Sequence, residues 1–70
     1  MEDYQIRYIN EYNELKERYQ KLCQIIFKYE QDKLDFKLNC PIHLLKQQAR
    51  HMKMYLEDLE KRSLYEGVTL

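Results

Sequence analysis

The stretch from Tyr8 to Tyr29, YINEYNELKERYQKLCQIIFKY, decides the fold. Its apolar and tyrosine side chains recur at alternating steps of four and three residues, at Tyr8, Tyr12, Leu15, Tyr19, Leu22, Ile26 and Tyr29. This spacing is the heptad seam of an amphipathic helix that packs against another helix. Because no Gly or Pro interrupts the chain from Asp3 to Lys33, the sequence predicts a first helix over residues 3–33.

A second seam follows after a short connection, predicted over residues 34–40. The second helix is predicted over residues 41–66, with Pro41 in its first turn, where a missing N–H costs nothing. Its seam steps by three and four through Ile42, Leu45, Ala49, Met52, Leu56, Leu59 and Ser63. We expect Gly67 to end this helix in the left-handed conformation and Val68 to pack back on the last turn. The predicted fold is all-α, one domain over residues 1–70, built as a two-helix antiparallel, coiled-coil-like hairpin.

The length of the chain argues for assembly. Seventy residues rarely build a sufficient single core without disulfides, a metal or oligomerisation. We therefore expect copies to form a helical-bundle oligomer through the seams. The predicted core and oligomer residues are Tyr8, Leu15, Leu22, Ile26, Leu45, Met52, Leu56 and Leu59.

Composition disfavours several classes of function. Twelve basic and twelve acidic residues are interspersed, so binding to duplex nucleic acid is not expected. No apolar run is long enough to span a bilayer, and polar faces of mixed sign do not suit a membrane surface. With two cysteines and no recognisable signal peptide, the expectation is a cytoplasmic protein with free thiols.

Metal binding and catalysis are not expected either. The segment Cys40-Pro41-Ile42-His43 has two ligand types, but a structural zinc site needs a second paired cluster, and none follows. Ser63 sits in an apolar seam without a partner base, and no glycine-rich phosphate loop is present. We expect a binding protein with no cofactor, not an enzyme.

One polar edge of the second helix is unusual, because Gln48, Tyr55 and Arg62 recur every seven residues. Two interpretations are open. Either these are boundary residues whose stems cover apolar surface, or they form a polar line that fixes register or lines a ligand pocket. Tyrosine stacks on nucleobases and arginine holds phosphates, so the candidate ligand-binding residues are Gln48, Tyr55, Arg62, Arg50, Tyr12 and Tyr19.

These residues resemble a family of small bacteriophage proteins typified by an uncharacterised open reading frame of a crAss-like phage. The N-terminal half is similar at Tyr4, Arg7, Glu11, Glu14-Leu15, Lys21-Leu22 and Ile25-Ile26. The C-terminal half is similar at Leu44-Leu45, Gln48, Met52, Tyr55, Leu59 and Arg62. The connection departs from the family pattern at residues 39–42.

The resemblance implies a phage accessory protein acting in the cytoplasm of an infected bacterium. The leading hypothesis is an oligomeric binder that sequesters a host immune signal nucleotide. The alternatives are a protein–protein inhibitor of a host defence, replication or transcription factor, acting by helix-in-groove binding, or a structural phage component.

Overall fold

The computed structural model describes residues 2–70 as two long helices, α1 (Asp3–Glu30) and α2 (Ile42–Glu66). They pack side by side in opposite directions, and the molecule measures 45 × 18 × 17 Å. Within residues 2–70 there is no β-strand. The predicted all-α helical hairpin is confirmed.

Helix α1 ends at Glu30, three residues earlier than predicted. Asp32 adopts a left-handed conformation with φ of 55°, and such a residue terminates a helix. The Asp32 N–H donates to the Tyr29 carbonyl at 3.1 Å, and the Lys33 N–H donates to the Lys28 carbonyl at 2.8 Å. These two bonds form a Schellman motif, which satisfies carbonyls that the helix end leaves open. Aspartate tolerates the left-handed region, although glycine is the usual residue there.

Helix α2 begins at Ile42, one residue later than predicted, because Pro41 is extended (φ −61°, ψ 142°) and occupies the N-cap position. At the other end the prediction is confirmed. Gly67 is left-handed (φ 66°), and the Val68 N–H donates to the Ser63 carbonyl at 3.1 Å. Val68 is buried, so the turn after α2 packs back onto the hairpin.

The core lies at the end of the hairpin that carries the two termini. Its buried residues are Tyr8, Tyr12, Leu56, Leu59 and Val68, together with Ser63. Toward the connection the seams are only half-buried, at Leu15, Leu22, Ile26, Leu45 and Met52, and Tyr29 is exposed. Tyr29 was expected in the seam, but the early end of α1 places it in the last turn beside the connection. A single chain therefore buries only five of the fourteen predicted seam residues, at Tyr8, Tyr12, Leu56, Leu59 and Ser63.

Candidate functional site: two flanks of the helical hairpin

Side-chain contacts across the hairpin fix its register. The Tyr55 hydroxyl donates to the Glu11 carboxylate on one flank. On the opposite flank, the Lys46 ammonium lies 2.5 Å from the Glu30 carboxylate. Because the helices are antiparallel, moving one heptad forward from Glu11 and one back from Tyr55 places Arg18 opposite Gln48.

The first flank, here called the amide flank, contains Glu11 and Arg18 of α1 and Gln48, Tyr55 and Arg62 of α2. An open pocket of about 360 Å³, here called the amide pocket, lies on it, lined by Leu44, Gln47, Gln48, His51, Met52 and Tyr55. All six residues belong to α2, so the pocket has one wall. Its lining combines two apolar side chains with two carboxamides, an imidazole and a phenol, a set of groups that can hold a flat heteroaromatic ring.

Arg62 lies on the amide flank but outside this pocket. Its guanidinium is 5.0 Å from the centre of the Tyr8 ring and 3.2 Å from the Glu66 carboxylate. Burial raises the pKa of Tyr8, and the adjacent Arg62 charge opposes that rise. Such contacts within one chain fit the interpretation of Arg62 as a boundary residue, whose side chain covers the surface of its own hairpin.

The second flank, here called the lysine groove, holds a cavity of about 350 Å³. It is lined by Tyr12, Lys16, Tyr19, Gln20, Lys53, Leu56, Glu57 and Glu60. The Tyr12 hydroxyl donates to the Glu60 carboxylate at 2.7 Å, and this bond is the main reason that the pKa of Tyr12 is raised. The Lys16 ammonium lies 5.9 Å from the Tyr12 ring centre.

Tyr19 is the second tyrosine of the lysine groove. Its pKa is raised, chiefly by the neighbouring Cys23 side chain and then by burial. Tyr12 and Tyr19 therefore stay neutral at physiological pH and serve as packed hydrogen-bonding groups. Two lysines and two glutamates surround them, so the groove has no net charge of its own.

The family of this chain is shown by a match over most of its length. A family model named Sequestin matches residues 2–64, which includes both helices up to the last turn of α2. The chain is a member of the Sequestin family. No curated protein and no solved structure matches it.

The Sequestin match includes every residue that lines the amide pocket and the lysine groove. It ends before Gly67 and Val68, which close the core at the C-terminal end. Both candidate surfaces therefore belong to the part of the chain that carries the family pattern.

The six predicted ligand-binding residues of this Sequestin chain do not form one site. Gln48 and Tyr55 share the amide pocket, whereas Tyr12 and Tyr19 share the lysine groove on the other flank. Arg50 is exposed and, among the described residues, lines neither of these two surfaces. Tyr12 and Tyr19 are separated from Gln48 and Tyr55 because the lysine groove and the amide pocket lie on opposite flanks of the hairpin.

Sequence reasoning missed three residues of the amide flank in this Sequestin chain. Gln47 and His51 line the pocket beside Gln48, and the register places Arg18 opposite it. Arg18 is 72% exposed, and its Glu14 neighbour lies at 4.0 Å, the outer limit of an ion pair. The seven-residue step Tyr4, Glu11, Arg18 on α1 was the signal that could have identified it.

Among residues 2–70 no group of three or more His, Cys, Asp or Glu side chains is placed to hold a metal ion. Neither helix described here has an apolar window of the length needed to cross a bilayer.

Proposed function

We propose that this Sequestin protein is an oligomeric binder that sequesters a small nucleotide signal of host immunity. The family name itself suggests that members sequester a ligand. The observation that carries the proposal for this chain is the amide pocket, which an aromatic ring, two carboxamides and two apolar side chains line together.

The pocket has the chemistry for a nucleobase. A glutamine carboxamide can donate and accept at once, as bidentate pairing with an adenine edge requires. Gln48 and Gln47 both offer this group, and the Tyr55 ring offers a stacking face worth about 1–3 kcal/mol per base. The side chains of Leu44 and Met52 add apolar contact area for the base.

Tyr55 is held in place before any ligand arrives. Its side chain is 46% exposed, yet its hydroxyl is anchored on the Glu11 carboxylate. An anchored ring loses little conformational freedom on stacking, so more of the contact energy appears as affinity.

Arg18 supplies the positive charge that a phosphate group needs. Its guanidinium can bind a phosphate through two parallel hydrogen bonds, and its exposed pairing with Glu14 is weak. Arg18 stands across the interhelical boundary from Gln48, so base and phosphate would be held by different helices. The ligand would then bridge α1 and α2.

The proposed protein binds its ligand without altering it. Sequestration lowers the free concentration of a signal in proportion to the number of binding sites. A small protein made in large amounts can therefore deplete the signal without catalysis. We place this activity in the cytoplasm of an infected bacterium, with the protein supplied by a phage.

Isothermal titration calorimetry with cyclic dinucleotides and ADP-ribose derivatives tests the proposal. We expect one class of ligand to bind, and Gln48→Ala to weaken its binding by about tenfold or more, since a bidentate pair contributes about 1–3 kcal/mol. Gln20→Ala, in the lysine groove, is the matched control and should bind normally. Absence of heat with the whole panel contradicts the proposal.

A second candidate function, inhibition of a host protein, is favoured by one observation. Leu64 and Tyr65 are 83% and 92% exposed near the end of α2. Adjacent exposed apolar side chains mark surfaces for protein partners. If Leu64→Ser with Tyr65→Ser abolished activity in infected cells while nucleotide binding persisted, this second candidate would replace the first.

A further inference from the structure

The single chain exposes more surface than a compact protein of its size. Its accessible surface is 5780 Å², whereas a compact monomer of 8.8 kDa exposes about 4,800 Å². Its radius of gyration is 15.0 Å, against about 11 Å for a compact chain of 70 residues. The excess area of about 1,000 Å² is close to the roughly 800 Å² that each partner contributes to a standard protein interface.

The amide pocket suits a second copy better than the lysine groove does. Among the described residues, its lining includes no Asp, Glu, Lys or Arg, whereas the lysine groove includes four such residues. Charged residues are depleted at the centres of protein interfaces, where their desolvation is costly. Leu44 and Tyr55 are nearly half exposed at this pocket, so a covering partner would bury apolar area.

We propose that a second copy of this chain covers the amide pocket through a two-fold axis close to His51 of α2. This inference extends the proposed function and rests on it for one point, that the amide pocket binds a nucleotide. A two-fold interface pairs the same patch on both copies. With antiparallel α2 helices and the axis between His51 and Met52, Gln48 of one copy faces Tyr55 of the other.

This arrangement supplies the wall that the pocket lacks. Each copy contributes the base-binding half of the site, which lies on α2, and the interface joins two such halves. The ligand site is then composite, and it loses affinity when the copies separate. The Glu11–Tyr55 bond lies inside each copy and fixes the tyrosine that the other copy meets.

Light scattering coupled to size exclusion, without nucleotide, tests the interface. We expect a mass of twice 8.8 kDa at micromolar concentration. Leu44→Asp should raise the dissociation constant on the order of 100-fold, because an unpaired carboxylate would be buried at the interface. Leu44 lies in the first turn of α2, where the helix dipole favours a negative charge, so circular dichroism of the variant should show full helicity.

Leu64→Asp is the matched control, because it places the same charge on an exposed leucine away from the amide pocket. We expect this variant to keep the wild-type mass. A monomeric wild type overturns the inference, and so does dissociation caused by Leu64→Asp but not by Leu44→Asp.

Nucleotide titration of the same samples separates this inference from the proposed function. A dimer that binds no nucleotide supports the interface and contradicts sequestration. A monomer that binds nucleotide tightly overturns the interface and leaves sequestration standing.

Discussion

The Tyr8 hydroxyl donates a hydrogen bond to the main-chain carbonyl of Leu59, which lies 51 residues away in sequence. Both residues are buried, so this bond joins α1 to α2 within the apolar core. It holds the two helices at a fixed register, and that register sets which residues meet on the amide flank.

Replacing Tyr8 by Phe should lower the free energy of unfolding by about 1–2 kcal/mol, because a buried carbonyl loses its second hydrogen bond. Urea denaturation followed by circular dichroism measures the change. Tyr65→Phe is the control, since Tyr65 is exposed and its hydroxyl should contribute nothing. Equal stability of both variants would show that the Tyr8 bond does not hold the helices together.

Leu59 is the most deeply buried large side chain, with 1% of its surface exposed. Leu59→Ala should reduce stability by about 2–5 kcal/mol, through lost burial and the cavity left behind. Thermal unfolding of this variant is best compared with Leu64→Ala, which changes an exposed leucine of the same helix. If the two variants unfolded at the same temperature, the placement of the core would be wrong.

Gly67 adopts φ of 66° at the end of α2, and no heavy atom lies within 4 Å of the place where a Cβ would stand. Gly67→Ala should therefore lower stability by about 1–2 kcal/mol through backbone strain alone, without a steric clash. Gly67→Asn should be milder, because asparagine tolerates the left-handed region. Chemical denaturation distinguishes the two, and an alanine variant as stable as wild type would contradict this account of the turn.

Stability should fall at alkaline pH. The pKa values of Tyr8, Tyr12 and Tyr19 are raised in the folded protein, above the ordinary value of 10.0. Below pH 10 both states keep these protons, so the stabilisation is complete. Above pH 10 the unfolded chain releases them first, which favours unfolding progressively until the folded groups ionise too.

Thermal melts from pH 8 to pH 11 measure this effect, and the melting temperature should decline above pH 10. Tyr12→Phe should make the decline shallower, because one of the three groups no longer titrates. A melting temperature that rose between pH 10 and pH 11 would contradict the assignment.

Local patterns made most of the fold predictable. The heptad spacing around Tyr12 and the single Gly67 are local features of the sequence. The two helices and the final turn could therefore be predicted from it. The end of α1 could not be predicted, because the residue that adopts the left-handed conformation there is Asp32 and not a glycine. The apolar pattern of a helix does not show at which non-glycine residue the helix ends.

The candidate site was predictable only in part. The seven-residue recurrence predicted a polar edge on α2, and the structure places Gln48 and Tyr55 in one pocket with Arg62 outside it. The opposite residue, Arg18, depends on how far the two helices slide along each other. That register follows from the connection and from pairs such as Tyr8 with Leu59, which are distant in sequence.

The central claim is that this Sequestin protein holds a nucleotide signal intact, and one measurement tests it most directly. Purified protein is saturated with each nucleotide of the panel, freed of unbound ligand, denatured by heat, and its released contents are analysed by chromatography. The account predicts that one nucleotide is retained by the folded protein and released chemically unchanged. Retention of no nucleotide, or release of a degraded product, would contradict it.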